Sequence, residues 1–244
     1  MNDINEIIAR LDAFFSREDL AGAKELLYTS LAQARAAGDK KLCASLYNEI
    51  MGFERQYGSL KAAVSAAQAA LSLLEETGLS VSFPAAMMTL NAATVCKRAG
   101  DNETAAKLYM RAEELFNRFY PAGAAEFAGL YNNMASLYLD TGDYPKAEYY
   151  YDRAMGILNR TGKTSDLAVT WFNKALLYNR SDPFSGKTER CVDVGLRVLD
   201  IPEGERDGYY YYSCRKCAGA AAELGFFAAE RELTERADAF YERH

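Results

Sequence analysis

The sequence predicts an all-α protein built from repeated helix pairs, and three observations carry the prediction. First, Gly58, Gly100 and Gly142 are 42 residues apart, as are Ala21, Ala63, Ala105 and Ala147, and again Ala70, Ala112 and Ala154. Three series sharing one long period are the signature of a repeat architecture. Second, Pro84, Pro121, Pro145, Pro183 and Pro202 all fall on boundaries set by that period, never inside a helical pattern, where the ring would remove a hydrogen bond and clash with the preceding turn. Third, no segment keeps the apolar/polar alternation of a half-buried strand.

Taken in order, six helix pairs are expected over about residues 2–37, 40–76, 84–118, 124–161, 166–200 and 206–242, forming one solenoid domain, 1–244. Gly38, Gly78, Gly123, Gly162 and Gly204 lie in the turns between pairs. Within a pair, Gly58, Gly100 and Gly142 mark the turn between its two helices. The fifth pair departs from the period: its spacing slips to 40, and Asp182–Lys187 forms a longer turn. The first and last segments are degenerate end units, as a solenoid needs polar caps.

The clearest unit is Leu130–Leu158, LYNNMASLYLDTGDYPKAEYYYDRAMGIL. Small Ala135, Ala147 and Ala154 would let two antiparallel helices approach closely. The rings of Tyr131, Tyr138 and Tyr151 would fill the space between neighbouring pairs, and Pro145 suits a first helical turn. Tyr131, Met134, Ala135, Tyr138, Gly142, Tyr144, Ala147, Tyr151 and Ala154 together resemble the tetratricopeptide repeat. Only its terminal proline is missing, with Asn159 in that place. Weaker copies run through Tyr47–Ala70, where Glu54 replaces the second aromatic, and through Thr89–Ala112. Trp171, Ala175 and Tyr178 begin another. The period of 42 exceeds the usual 34 by about two helical turns, so the chain is similar to the long repeats of kinesin light chains and bacterial peptide-sensing regulators. That resemblance implies a right-handed α-superhelix.

Composition narrows the function classes. With 50% hydrophobic residues in 244, the chain can bury a core, and a net charge of −6 argues against a nucleic-acid partner. No stretch has the apolar length of a membrane span, and the N-terminus lacks a signal-peptide pattern, so a cytoplasmic address is expected. The first repeat begins near Ile4, leaving no room ahead of it for an effector module. Ser181–Thr188 echoes a phosphate-binding loop, but Ser181 stands where that loop needs its first glycine, and a helix precedes it instead of a strand. Cys214 and Cys217 form a lone C-x2-C pair without further ligands, which reads as packing. The sole histidine is His244, so a His-assisted nucleophile is not expected. No enzyme activity and no cofactor are therefore expected. The tyrosine runs 149–151 and 209–212 read as filler between helices.

In proteins with this repeat, the first helix of each pair lines a concave groove. One groove-edge position falls on Asn91, Asn133 and Asn173, with Asn48 and Asn132 beside it. Side-chain amides there can donate to and accept from an extended peptide backbone. Arg55, Lys97, Arg98, Arg180, Arg215 and Lys216 also face the groove, against Glu6, Glu49, Asp140 and Glu223. This basic excess would suit a partner with acidic residues. The leading function is a protein- or peptide-binding scaffold. The alternative is a regulatory receptor that senses a short signalling peptide by changing superhelix pitch.

Overall fold

In the computed structural model, which describes residues 3–241, the fold is all-α. The described residues form twelve α-helices and one short 3-10 turn, Glu203–Glu205. The chain divides into two compact units, Met1–Ala122 and Gly123–His244. The N-terminal unit holds α1 (Ile4–Phe15), α2 (Leu20–Ala36), α3 (Lys40–Tyr57), α4 (Leu60–Glu76), α5 (Phe83–Arg98) and α6 (Asn102–Phe119). The C-terminal unit holds α7 (Glu126–Asp140), α8 (Tyr144–Thr161), α9 (Thr164–Ser181), α10 (Lys187–Val198), α11 (Gly208–Glu223) and α12 (Phe227–Tyr241). In each pair the odd-numbered helix packs chiefly on the even-numbered helix that follows it. His244 lies outside the described residues.

The repeated small residues sit where those paired helices touch. Ala63, Ala105 and Ala147 are fully buried, as are Ala93, Ala135, Ala112 and Ala154. Larger side chains at these points would hold the backbones apart, since helix separation follows side-chain size at the contact. Tyr109, Tyr151 and Tyr210 fill the volume around the crossings and are almost completely buried. Gly100 and Gly142 take the left-handed conformation, with φ of +83° and +79°, between α5 and α6 and between α7 and α8. Three of the six even-numbered helices then start on an aspartate: Asp19, Asp101 and Asp143 accept hydrogen bonds from the N–H groups of Gly22, Thr104 and Lys146, satisfying amides that the helix itself leaves open. Pro84 and Pro145 stand in first helical turns, and no cis peptide bond occurs among the described residues.

Gly58 follows a different rule. Its backbone is extended, with φ −126° and ψ −134°. A Cβ there would lie 2.0 Å from a carboxylate oxygen of Glu54, so close approach, not handedness, requires glycine. Glu54 is the residue that replaces the motif's aromatic, and it is 1% exposed. Its carboxylate accepts hydrogen bonds from the Ser59 N–H (2.7 Å) and the Tyr28 hydroxyl (2.8 Å), and Lys24 lies 3.0 Å away. Glu54 thereby caps α4, whose own N-cap residue Ser59 makes no side-chain cap, and joins α2, α3 and α4. Burial alone would raise its pKa. The Ser59 amide, Tyr28 and Lys24 outweigh it and hold the carboxyl below the ordinary range, while burial and Glu54 push the Tyr28 hydroxyl up to about 12.

Two expected outcomes follow from this junction. Glu54→Ala leaves the Ser59 amide and the Tyr28 hydroxyl without their acceptor and should lower stability by about 1–3 kcal/mol in chemical denaturation. Because the folded-state pKa is depressed, the charged carboxylate stabilises above the unfolded value of roughly 4.3 and the benefit is lost as pH falls through the folded value. Glu54→Gln should therefore narrow the stability gap between neutral and acid pH. An unchanged acid profile would show that another carboxylate governs it. In the C-terminal unit, Ala135→Leu should cost about 1–3 kcal/mol by overpacking, while Leu at exposed Lys163 leaves the melting temperature near wild type.

Candidate functional site

Each unit presents its odd-numbered helices as a layer, and the residues singled out from the sequence fall on it. In the N-terminal unit the asparagines are used internally. The Asn91 amide donates to Asn48 Oδ1 at 3.0 Å, bridging α5 to α3, and the Asn48 amide donates to Glu49 at 3.0 Å. Glu49 is half-buried, and burial raises its pKa, opposed by the Asn48 bond and reinforced by Asp12. This Asn–Asn–Glu chain fixes the register of the neighbouring helices at 43 residues. Seven residues further along the same helix faces come Arg55 on α3 and Arg98 on α5, which have no ion-pair partner among the described residues. Like charges on adjacent helices gain nothing from each other. Lys97 is half-buried beside Arg98 and already engaged within the protein.

In the C-terminal unit, α7, α9 and α11 enclose a groove of about 510 Å³. Asn132 and Asn133 come from α7, Asn173 and Leu176 from α9, and Lys216 and Ala220 from α11. Asn133 and Asn173 are half-buried there and have no hydrogen-bond partner among the described residues. Asn132 is oriented by its neighbour: the Thr170 hydroxyl donates its proton to the Asp166 carbonyl at 2.8 Å, so the Asn132 amide must donate to Thr170 Oγ1, at 2.9 Å. Its other end, Oδ1, is left buried and unpartnered. At one end of the groove the Tyr209 hydroxyl donates to Asp166. At the other, Arg180 lies between Asp140 (3.7 Å) and Glu223 (3.1 Å).

That last arrangement corrects the expected basic excess for this unit. Arg180 is neutralised by two flanking carboxylates, and Arg215 pairs with Asp238 at 2.8 Å. Lys216 alone among the basic groove candidates of this unit has no ion pair within the described residues, its ammonium resting 5.1 Å from the Tyr212 ring. Cys214 and Cys217 are buried in the core, where burial pushes both thiols up. Lys187 opens α10 after the turn at Asp182–Gly186, and no group of three or more metal-ligating side chains occurs among the described residues.

The paired helices, the left-handed glycines and the buried alanines agree with the motif at one place in particular: residues 126–183 match the tetratricopeptide repeat family. The repeat is the tetratricopeptide repeat. Among solved tetratricopeptide-like structures, BtubC (BKLC) from P. vanneervenii is 26% identical with a TM-score of 0.70, covering 84% of either chain. A tetratricopeptide repeat protein from Parabacteroides merdae is 20% identical with a TM-score of 0.54, covering 96% of this chain and 78% of its own. The nearly identical repeats of a putative kinesin light chain from Podosopora anserina are 15% identical with a TM-score of 0.57, over 88% and 98%. The long-period resemblance to kinesin light chains thus holds for the fold. No curated protein matches in sequence.

Sequence reasoning placed the asparagines but could not separate those tied up internally from those left free. Two variants separate them. Asn91→Ala removes the bridge to Asn48 and should lower stability by roughly 0.5–1.5 kcal/mol, whereas Asn173→Ala removes no protein hydrogen bond and should melt within a degree or so of wild type. Equal losses would mean that the two positions do the same structural work.

Proposed function

We propose that the chain is a protein- or peptide-binding scaffold that receives its partner on the odd-numbered helices of its repeats. The observation that carries this reading is the groove of the C-terminal unit, in which Asn133 and Asn173 stand at equivalent positions of successive repeats with unused donors and acceptors. Half-buried amides without a protein partner stay open to solvent, and each can exchange water for a partner's backbone, donating and accepting. Two that remain free on the floor of one open groove are suited to an extended backbone, which presents an N–H and a C=O at every residue. Tetratricopeptide repeats are typically non-enzymatic scaffolds, and the groove offers no paired acid and base of a catalytic kind. No helix among the described residues is long and apolar enough to cross a membrane.

The N-terminal unit adds a preference of sign. Arg55 and Arg98 repeat at the register set by Asn48 and Asn91 and lack carboxylates of their own, so an acidic residue on the partner is the complementary group. The basic attraction proposed here rests on Arg55 and Arg98, not on Arg180.

Affinity capture from native lysate, followed by titration of the recovered partner, tests the reading. Asn133→Ala combined with Asn173→Ala should weaken binding by roughly tenfold, two neutral hydrogen bonds at about 0.5–1.5 kcal/mol each. Arg98→Glu should weaken it most at low salt, because exposed charges are screened over about 10 Å at 0.1 M. If both variants bind like wild type, the odd-numbered helices are not the docking face.

A further inference from the structure

The even-numbered helices differ between the units at positions one period apart, and the difference leaves a vacancy. On α8 the side chains at 149, 150 and 153 are Tyr, Tyr and Arg, and at the equivalent positions on α6, 107, 108 and 111, they are Lys, Leu and Arg. On α4 the same positions are Ser65, Ala66 and Ala69. The consequence in the C-terminal unit is a filled surface. Tyr150 stacks almost parallel on Tyr138, 5.5 Å between ring centres and 4° between planes, and its ring lies 5.8 Å from Tyr131. The guanidinium of Arg153 sits 4.0 Å above Tyr131. In the N-terminal unit the counterpart of Tyr131 is Tyr47, and no large side chain of α4 covers it. An open trough of about 640 Å³ remains, floored by Ile50 and Leu31 and walled by Tyr28, Tyr47 and Ala69. Arg35 lies over the Tyr47 ring at one end, 5.4 Å from its centre.

The repeat itself therefore shows what such a trough accepts: one aromatic ring laid against the tyrosine of the odd-numbered helix. The chain also carries a ring without a place. Phe184 is 99% exposed, the most exposed large apolar side chain among the described residues. It projects from the turn between α9 and α10, which is longer than the other turns within pairs. That turn is closed by its own bonds: Ser185 donates to the Asp182 carbonyl through both its N–H (3.2 Å) and its hydroxyl (2.8 Å), and Gly186 adopts φ +70°. Lys187 lies 3.5 Å from the Asp182 carboxylate. An isolated exposed phenylalanine needs no explanation in itself. Held on a bonded turn of a chain that also has an unfilled aromatic-sized trough, it has a complementary surface.

We infer that Phe184 of one copy docks in the Tyr47–Ala69 trough of a second copy, so that the protein self-associates head to tail. Such a contact joins two different surfaces, so repetition yields open chains or a closed ring, a reciprocal pair of copies being the smallest. Arg35 would complete the pocket by presenting its guanidinium to the incoming ring as well as to Tyr47.

Sedimentation velocity over a range of concentrations tests the inference with the full chain. Wild type should shift to larger species as concentration rises. Phe184→Ala alters a fully exposed side chain and should keep the wild-type melting temperature, yet weaken association roughly tenfold or more. Ala69→Arg, which copies α8, should fill the trough and have the same effect. The decisive arm mixes the two variants: Ala69→Arg supplies the ring, Phe184→Ala supplies the trough, and a 1:1 dimer that grows no further should form. A wild type that stays monomeric throughout, or variants that associate as wild type does, would overturn the inference. So would a mixture that remains monomeric while wild type assembles.

Discussion

The contact on which the rest of the structure depends is the close approach of two helices across alanines. Ala63, Ala105 and Ala147 recur at one register on the second helix of three successive pairs, and all are fully buried. With a methyl group at the crossing, the backbones come as near as side chains allow, and each helix must then present its next apolar residues to the neighbouring pair. That demand sets the period. It also explains why the turns within these three pairs are so short: helices that touch near their ends leave two or three residues for the reversal. Gly100 and Gly142 reverse the chain in a left-handed conformation that other residues adopt only at a cost. The aspartate caps follow from the same economy of length, since a helix that begins immediately after the turn has open amides and only the preceding side chain to satisfy them.

Within that frame the second helices and the aromatic positions are free to vary, and the two units have used the freedom differently. Where the C-terminal unit has Tyr138, stacked under Tyr150, the N-terminal unit has Glu54, buried and bonded to Ser59, Tyr28 and Lys24. Both solutions hold an odd-numbered helix to its partner, one by ring packing and the other by a satisfied carboxylate. They are not equivalent in consequence. A buried carboxylate must keep its donors, which fixes Gly58 by close approach and keeps Tyr28 pointed at Glu54. A ring asks only for volume. Tyr47 is left uncovered because α4 carries Ala66 and Ala69 where α8 carries Tyr150 and Arg153, and the open trough follows from that.

Much of this was legible in the sequence. Nine positions of Leu130–Leu158 fix residue size as well as polarity, and size is what a helix crossing constrains, so the pairing of helices could be read directly. Glu54 was visible as a departure from the motif, but not its role, because Tyr28 and Lys24 reach it from another helix and their spacing from Glu54 carries no periodic signal. The groove residues show the same limit more sharply. Asn91 and Asn133 occupy one position of the repeat, yet Asn91 is bonded to Asn48 while Asn133 is free. The difference lies in what stands on the adjacent helix: an asparagine faces Asn91 at the register of 43 residues, and sequence spacing alone does not reveal which register two helices adopt. Likewise Asp140 and Glu223 were legible as acidic groove residues, but not that both flank Arg180.

The asymmetry between the two units has a further consequence for recognition. In the C-terminal unit the column formed by Asp140, Arg180 and Glu223 alternates in sign across three helices and satisfies itself, so it offers a partner little net charge. Its unsatisfied groups are neutral amides, which read backbone and are indifferent to sequence. In the N-terminal unit the neutral amides are consumed and the unsatisfied groups are guanidinium ions, which read charge. On the proposed reading each unit would therefore select its own contact, an extended backbone at the solvated amides of one and an acidic group at the guanidinium ions of the other. Repeats with the same helix-pair geometry differ in this way through a handful of side chains, without any change in the frame that the alanines set.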